Sequence, residues 1–301
     1  MSDHSSPQPS GIAVLGIGEA AGAFLGGWDR RGARIASFDI KSAAADTLGW
    51  VEQRCVRFGV EHCPSAAAAL HGAGLVVSLV TADQAVAAAG DAASHLQAGA
   101  LYVDGNSCSP DSKRRAARLV EAGGGRYVDM AIMAPVQRDR HRTPVLLAGP
   151  HAAVALQALE DLGMRVDVAG DEVGQASSIK MVRSVMIKGI EALTAECMLA
   201  ARRAGVMDAV LASLQESDPQ LDWRKRSSYC LERMMVHGGR RAAEMREVAD
   251  TVAALGLAER MSLASAEWQQ EIGDLRLAGG EDRLEERADR ILAALEEARR
   301  A

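Results

Sequence analysis

Aromatic side chains are nearly missing from this chain of 301 residues: four Trp, three Tyr and three Phe, 3% in all. Its cores must therefore be packed with Ala, Val, Leu and Met, and no aromatic-plus-basic patch offers nucleobases a stacking surface. Basic runs are lacking too. The formal net charge is −6 and no Lys/Arg cluster has the footprint of a nucleic-acid surface, which excludes nucleic acid as a partner. No stretch approaches the roughly 18 consecutive apolar residues of a membrane span, so no membrane association is expected. The opening MSDHSSPQPS has no apolar segment of the signal-peptide kind, and residues 1–10 are expected to be a disordered lead-in. The five cysteines (Cys55, Cys63, Cys108, Cys197, Cys230) are scattered without metal-ligand spacing. No metal site is expected, and reduced thiols in a cytoplasmic setting fit best. Internal repeats and low-complexity linkers are absent.

What is present begins with GIAVLGIGEAAGAFLGGWDRRGARIASFDI, from Gly11 to Ile40. Ile12–Leu15 is an apolar run of strand length, Gly16-Ile17-Gly18 breaks it, Ala20–Arg31 carries helical spacing, and Ile35–Phe38 is a second strand ending in Asp39. This is the dinucleotide fingerprint G-x-G-x-x-G/A in its strand–turn–helix context. Gly16 permits the tight turn, Gly18 lets a pyrophosphate approach the backbone, and Ala21 or Gly22 allows close helix packing. The helix N-terminus offers unpaired N–H groups to the phosphates, and Gly16, Ile17, Gly18, Glu19, Ala20 and Ala21 are the cofactor-binding residues expected here. Asp39, with Ile40 beside it, stands where an acid accepts the adenine ribose hydroxyls. That acid repels a 2′-phosphate and favours NAD, while Lys41 offsets it and leaves NADP open.

Strand and helix patterns then alternate. A short helix is expected over Ser42–Trp50, a third strand over residues 55–60, and a small helix over Ser65–His71. Strands follow at Leu75–Val80 and Ala100–Val103, with helices over Gln84–Leu96 and Asp111–Ala122. Further strands are expected at Tyr127–Ala134, Pro144–Ala148 and Met164–Val168, with a helix over Ala152–Leu162 between the last two. This alternation predicts a doubly wound, mostly parallel α/β sheet of Rossmann type. Ligands in such sheets bind beyond the C-terminal strand ends, which puts Gly16–Gly22, Val80-Thr81-Ala82-Asp83 and Asp104–Ser109 on one rim. From Asp171 onward only helical spacing remains, over Glu172–Ala204, Met207–Gln215, Pro219–Met235, Arg240–Leu255, Ala258–Ile272 and Glu281–Arg300. The domains expected are a dinucleotide-binding domain over 11–170 and an all-α substrate and dimerisation domain over 171–301, joined through a long bridging helix. The last segment gathers Leu284, Ala288, Ile291/Leu292 and Leu295 on one face, which requires burial in its own domain or against a second subunit.

The bridging helix carries GQASSIKMVRSVMIKGIEALTAE. At about 100° per residue, Lys180, Ser184, Lys188 and Glu191 share an arc of roughly 80°. Their neighbours Ile179, Met181, Val182, Val185, Met186 and Ile190 are apolar. A polar stripe on so apolar a helix reads as a site lining rather than a solvated face, and a lysine held out of water can act as a general base.

These segments resemble the β-hydroxyacid dehydrogenases, the group of 3-hydroxyisobutyrate and, more distantly, 6-phosphogluconate dehydrogenase, over about Gly11 to Leu257. Gly16–Gly22 is similar to the family's cofactor loop, Asp104-Gly105-Asn106-Ser107-Cys108-Ser109-Pro110 to its substrate loop, Asp129–Val136 to its Pro-Val segment, and Gly174–Lys180 to its lysine motif. The resemblance implies that Lys180 is the catalytic acid/base and that the protein is a homodimer. Two departures imply a different substrate: Gln137-Arg138-Asp139-Arg140-His141 replaces the family's Ser-Gly-Gly, and Arg183 and Ser184 occupy the usual position of an asparagine. The C-terminal HGGRRAAEMREVADTVAALGL resembles a divergent branch whose helical domain has no assigned role.

The chemistry implied is hydride transfer between a nicotinamide along Val80–Ala82 and a small polar hydroxy acid or its carbonyl partner, with Lys180 exchanging the hydroxyl proton. Asn106 and Ser107 would hydrogen-bond the substrate; Arg183, Lys188 or Arg240 would hold an anionic group; Ser184 would meet the hydroxyl. His237 and His141 are each weighed as packing residues against residues that reach the site. His237 is the stronger candidate, because Gly238-Gly239 are expected to break a helix there. Glu191 would pair with Lys188 or a neighbouring helix, or face substrate. Cys108 has no activating base near it in sequence and is read as packing. The competing readings are a non-catalytic NAD(P)-binding sensor or assembly protein, an imine reductase, against which Lys180 argues, and an oxidative decarboxylase, for which Glu191 is poorly placed.

Overall fold

The computed structural model describes residues 11–300; the expected lead-in, residues 1–10, lies outside the described residues. The chain divides after Lys180 into two units.

The first unit is built on one eight-stranded sheet. Its strands are β1 (Gly11–Leu15), β2 (Arg34–Phe38), β3 (Glu61–His62), β4 (Leu75–Ser78), β5 (Leu101–Asp104), β6 (Arg126–Ile132), β7 (Val145–Ala148) and β8 (Val166–Gly170). They lie in the order β3-β2-β1-β4-β5-β6-β7-β8, all pairs parallel except β6 with β7. The helices between strands are α1 (Glu19–Leu25), α2 (Ala45–Phe58), α3 (Ala66–Leu70), α4 (Ala85–Ala93), α5 (Pro110–Ala122), α6 (Val136–Asp139) and α7 (Ala152–Glu160). Strand alternation sorts the core onto two faces. Ile12 and Val14 pack with Phe24, Val51 and Leu147 on one side, and Ala13 and Leu15 with Leu70, Tyr102 and Val120 on the other. The chain leaves β1 toward β2 and later returns to β4, so the switch in strand order falls between β1 and β4, where such sheets open a binding crevice.

The second unit is helical. The division falls within α8 (Gln175–Arg203), and α9 (Met207–Ser217), α10 (Trp223–Ala254), α11 (Arg260–Asp274) and α12 (Leu284–Arg300) follow. Met198, Leu199, Leu231, Met234, Ile272, Leu284, Ile291 and Leu295 form its main core, so the apolar face of α12 is covered within its own unit. Among the described residues no helix is long and apolar enough to cross a membrane.

Four expectations are corrected. The third strand is not at 55–60: that stretch is the last turn of α2, and β3 comprises only Glu61–His62. Its apolar residues lie on different sides of a helix, Cys55 buried at 1% and Val56 exposed at 81%. The expected helix Ser42–Trp50 is displaced to 45–58 for the same reason, since Val51 and Cys55 recur at helical spacing on its buried face. Helix α1 stops at Leu25 rather than Arg31, with Gly26 as its C-cap and Gly27 after it; beyond that end Arg30 turns back to donate to the carbonyl oxygens of Leu25 and Gly59 (both 2.8 Å) and of Phe58. The two segments Pro219–Met235 and Arg240–Leu255 are one helix, α10. Gly238-Gly239 do not break it; they let α11 cross closely, since a Cβ on Gly238 would stand 2.7 Å from the Cα of Gly273.

That crossing makes a prediction. A methyl group on Gly273 would meet the Gly238 carbonyl carbon at 2.8 Å, with backbone on both sides. Gly273→Ala should therefore lower stability by about 1–3 kcal/mol, the range for overpacking a tight contact. Urea unfolding followed by circular dichroism checks it, and an unchanged midpoint would show that the two helices have room.

Candidate functional site

The glycine turn between β1 and α1 is positioned by backbone. Gly16 has φ +86°, a conformation open to glycine, and a Cβ there would lie 2.6 Å from the carbonyl oxygen of Leu79. Its N–H donates to Phe38 (2.8 Å), and Leu79 N–H donates to Leu15 (2.8 Å), so the turn is tied to the ends of β2 and β4. Arg54 of α2 covers the acceptor side, donating from Nε to the Ile17 carbonyl (2.5 Å) and from Nη2 to that of Gly18 (2.8 Å). Its guanidinium also lies over the Trp50 ring, 5.0 Å from the centroid, and the Lys41 amine is 4.8 Å from it. Ala21 is the residue buried in the sheet-side core, whereas Gly22 faces α2, where a Cβ would stand 2.7 Å from Phe58.

Asp39 closes this half of the rim. One carboxylate oxygen accepts from Ile17 N–H (2.9 Å) and the other from Lys41 N–H (3.0 Å), which fixes the acid beside the turn. Ile40 is exposed next to it. Gly18 caps α1 without a side-chain cap bond and has nothing within 4 Å of its Cβ position. With the Ile17 and Gly18 carbonyls engaged by Arg54, and the Gly16 and Ile17 N–H groups taken by Phe38 and Asp39, what is left to a ligand is the start of α1, whose first N–H groups lack helical acceptors, and the open space at Gly18, with an acid beside it. These residues fit a dinucleotide, with pyrophosphate on the turn and ribose hydroxyls on Asp39. Among the described residues no group of His, Cys, Asp and Glu is arranged to hold a metal ion.

The other half of the rim follows β4 and β5. The Asn106 side chain accepts from Val80 N–H (2.7 Å) and donates to Ser78 Oγ (3.1 Å), joining the Val80–Ala82 segment to the loop after β5. Asn106 is buried and holds the loop together, while the neighbouring Ser107 is only half-buried. Lys180, on the first turns of α8 and half-buried, donates from Nζ to Ser107 Oγ at 2.5 Å. Lys180 and Ser107, predicted from distant segments, are thus brought together. Cys108, next in sequence to Ser107, is buried.

Beneath this loop lies a charged network that the sequence reading missed. Strands β5 and β6 carry the same tripeptide, Tyr-Val-Asp, in register: Tyr102 pairs with Tyr127, Val103 with Val128 and Asp104 with Asp129. The two tyrosine rings stack at 6.0 Å, and the two aspartates are adjacent and fully buried. Like charges so placed repel each other, and Lys113 of α5, also fully buried, supplies the cation. Its Nζ lies 2.9 Å from Asp104 Oδ1, 3.5 Å from Asp129 Oδ1 and 2.6 Å from the Asp104 carbonyl. Burial opposes the charge on Lys113, but Asp104 foremost, then Cys108 and Asp129, overcome it and raise the amine's pKa above the usual lysine range. Tyr127 donates to Asp104 (2.7 Å), and burial together with that carboxylate pushes its own pKa well up. Asp129 accepts from Gly174 N–H (3.1 Å), Ser177 N–H (3.0 Å) and Ser177 Oγ (2.5 Å), satisfying the start of α8. The repeated Tyr-Val-Asp and a lone lysine one turn into the next helix were the signals that could have revealed it.

In the second unit, Ser184, Lys188 and Arg240 are joined through a residue not singled out from sequence, Glu244. Lys188 donates to Ser184 Oγ (3.1 Å) and pairs with Glu244 (3.0 Å), which also takes Arg240 (2.9 Å). Glu191 is buried and pairs with Arg241 of α10 (2.7 Å), with Gln269 3.5 Å from its other oxygen, so its partner is a neighbouring helix. Burial pushes the Glu191 carboxyl up despite Arg241, and lowers Arg241 in turn. His237 lies half-buried within unbroken α10, not at a helix end. Arg183 is exposed. His141 packs against Gly27 and Gly163, and burial with Arg142 and Arg140 lowers its pKa, as suits a packing histidine. The polar stripe of α8 is the inner one: Ser184, Lys188 and Glu191 are buried, while Val182, Met186 and Leu193 are 50–62% exposed.

Comparison with known proteins matches these features. The model described as the NAD binding domain of 6-phosphogluconate dehydrogenase covers residues 11–170, and a domain of unknown function, DUF1932, covers 201–272. A conserved hypothetical protein of Sinorhizobium meliloti 1021 is 37% identical over 98% of this chain and 99% of its own, with a TM-score of 0.76. MTH1747, described as a conserved protein of unknown function with structural similarity to 3-hydroxyacid dehydrogenases, is 30% identical over 90% of this chain and 99% of its own, with a TM-score of 0.69. An uncharacterized 28.5 kDa protein of Methanothermus fervidus is 30% identical over 151 residues, 49% of this chain and 56% of that protein, so the match spans little more than half of that relative's length. With the NAD-binding model matching more than half of its length, the chain belongs to the β-hydroxyacid dehydrogenase family, on a branch whose C-terminal region is the domain of unknown function.

Proposed function

We propose that the chain is an NAD(P)-dependent oxidoreductase acting on a small polar hydroxy acid or its carbonyl partner, with Lys180 as general acid/base. The observation that carries this reading is the Lys180 amine on Ser107 Oγ, 2.5 Å away, at the rim that also holds Val80. A bound nicotinamide supplies hydride acceptance and donation. The chain's own residues do the rest. The N–H groups of the glycine turn and the Asp39 carboxylate hold the dinucleotide, and Ser107 offers an oxygen to the substrate hydroxyl. Lys180 takes the hydroxyl proton when an alcohol is oxidised and returns it when a carbonyl is reduced.

A screen of hydroxy acids and sugar acids at alkaline pH, read by NAD(P)H absorbance, identifies the substrate. With it in hand, Lys180→Ala should lower kcat by about 10²–10⁴-fold, the usual worth of a positioned acid/base, while NADH affinity measured by fluorescence stays unchanged. Equal turnover in the variant would remove the catalytic role and leave a nucleotide-binding protein.

We further propose that NAD is preferred, because a fixed carboxylate at Asp39 repels a 2′-phosphate. Asp39→Asn keeps the shape and removes the charge. The ratio of NADPH to NADH affinity should rise about tenfold, equivalent to ~1.4 kcal/mol. A ratio that does not move would assign the preference to other residues.

The outward apolar stripe of α8, Val182, Met186 and Leu193, supports a homodimer in which a second copy covers it. Light scattering on a sizing column should give twice the chain mass, and Met186→Glu should return it to one chain. A single-chain mass for the unaltered protein would refute the dimer.

A further inference from the structure

Lys113 does more than neutralise two acids. It binds Asp104, whose other contacts shape the start of the loop: Asp104 Oδ1 also accepts from Asn106 N–H at 2.9 Å. Asp129, which flanks the same amine, accepts from Gly174, from Ser177 N–H and from Ser177 Oγ at the origin of α8. One buried ammonium therefore sits between two carboxylates. One of them organises the loop that presents Ser107, and the other anchors the first turn of the helix that presents Lys180, three residues beyond Ser177. All three charged groups are 0% exposed, and each aspartate accepts from at least three N–H or O–H groups besides the lysine contact or including it. Side chains so enclosed have one arrangement available to them, and the elements they hold inherit it.

We propose that Lys113 and Asp129 are positioning residues, which lock the Asn106–Ser107 loop to the start of α8 so that the Lys180 amine is delivered onto Ser107. The proposal rests on the reading of Lys180 as the acid/base only for its consequence in turnover; the placement itself is measurable without a substrate. Breaking the lock frees the amine. Neither residue touches substrate or dinucleotide in this scheme, so cofactor binding at the glycine turn stays as it was while the amine's surroundings change.

The chain has five lysines, Lys41, Lys113, Lys180, Lys188 and Lys225, which makes amine labelling site by site practical. The full chain is treated with a trace of an acetylating reagent, and the rate at Lys180 relative to that at Lys41 is read by mass spectrometry. Asp129→Asn keeps the shape but withdraws the carboxylate that anchors α8. It should raise the relative labelling of Lys180 about threefold or more, as expected when a charged acceptor's hydrogen bonds are lost. NADH affinity should stay within about twofold of the unaltered protein, a change below 0.5 kcal/mol. Because Asp129→Asn or Lys113→Met could disturb folding, Ser177→Ala is the milder arm. It removes one of the three α8 bonds and should raise Lys180 labelling about twofold, with the circular dichroism spectrum unaltered. Unchanged Lys180 labelling in folded Ser177→Ala and Asp129→Asn would overturn the proposal, as would an equal rise at Lys180, Lys188 and Lys225, which would mean general loosening. Failure of the acid/base reading shows itself separately, as turnover that survives Lys180→Ala while labelling still responds to Asp129→Asn.

Discussion

Two carboxylates on neighbouring strands, both out of solvent, are kept together by one ammonium. Asp104 and Asp129 are register partners in β5 and β6, and without Lys113 between them two like charges would face each other out of water, a situation that buried carboxyls relieve by taking up a proton. Breaking a buried pair of this kind costs about 3–5 kcal/mol, because the remaining charges stay buried and uncompensated. The stability gained over an apolar substitute is far smaller, so what the arrangement supplies is definition. Through Asp104 it fixes the loop with Asn106 and Ser107, and through Asp129 it fixes the beginning of α8. The short contact between Lys180 and Ser107 is the outward result of this inner arrangement.

The glycine turn uses a related device on the other side of the switch in strand order. Arg54 occupies the carbonyl oxygens of Ile17 and Gly18, and Asp39 accepts from Ile17 N–H. A loop rich in glycine is thereby held in one conformation by a side chain of α2 and by the residue that follows β2, and its remaining N–H groups are arranged before any phosphate arrives. In both halves of the rim, loop backbone is held in place by charged side chains, Arg54 and Asp39 on one side and Lys113 with its two aspartates on the other.

The helical unit depends on close approach more than on charge. With few aromatic residues to fill space, α10 and α11 pack by bringing Gly238 and Gly273 together, and Met and Leu fill what is left. Helix α8 turns Lys188 and Glu191 inward, where Glu244 and Arg241 of α10 meet them, and leaves Val182, Met186 and Leu193 outside.

Periodicity and glycine placement in the chain were enough to determine the doubly wound sheet, the dinucleotide turn at Gly16–Gly18 and the all-helical second half. These are local properties, since a strand, a turn and a helix each carry their own spacing. Boundaries failed where local pattern was not enough: α1 ends at the Gly26 cap, where Arg30 takes the Leu25 carbonyl, and Gly238-Gly239 are tolerated in mid-helix where another helix crosses closely. The pairing of Asp104 with Asp129, the choice of Lys113 as their cation and the meeting of Ser107 with Lys180 were settled only in three dimensions. Each joins residues far apart in the chain, and a buried charge reveals its partner only once the strands and helices around it have excluded water.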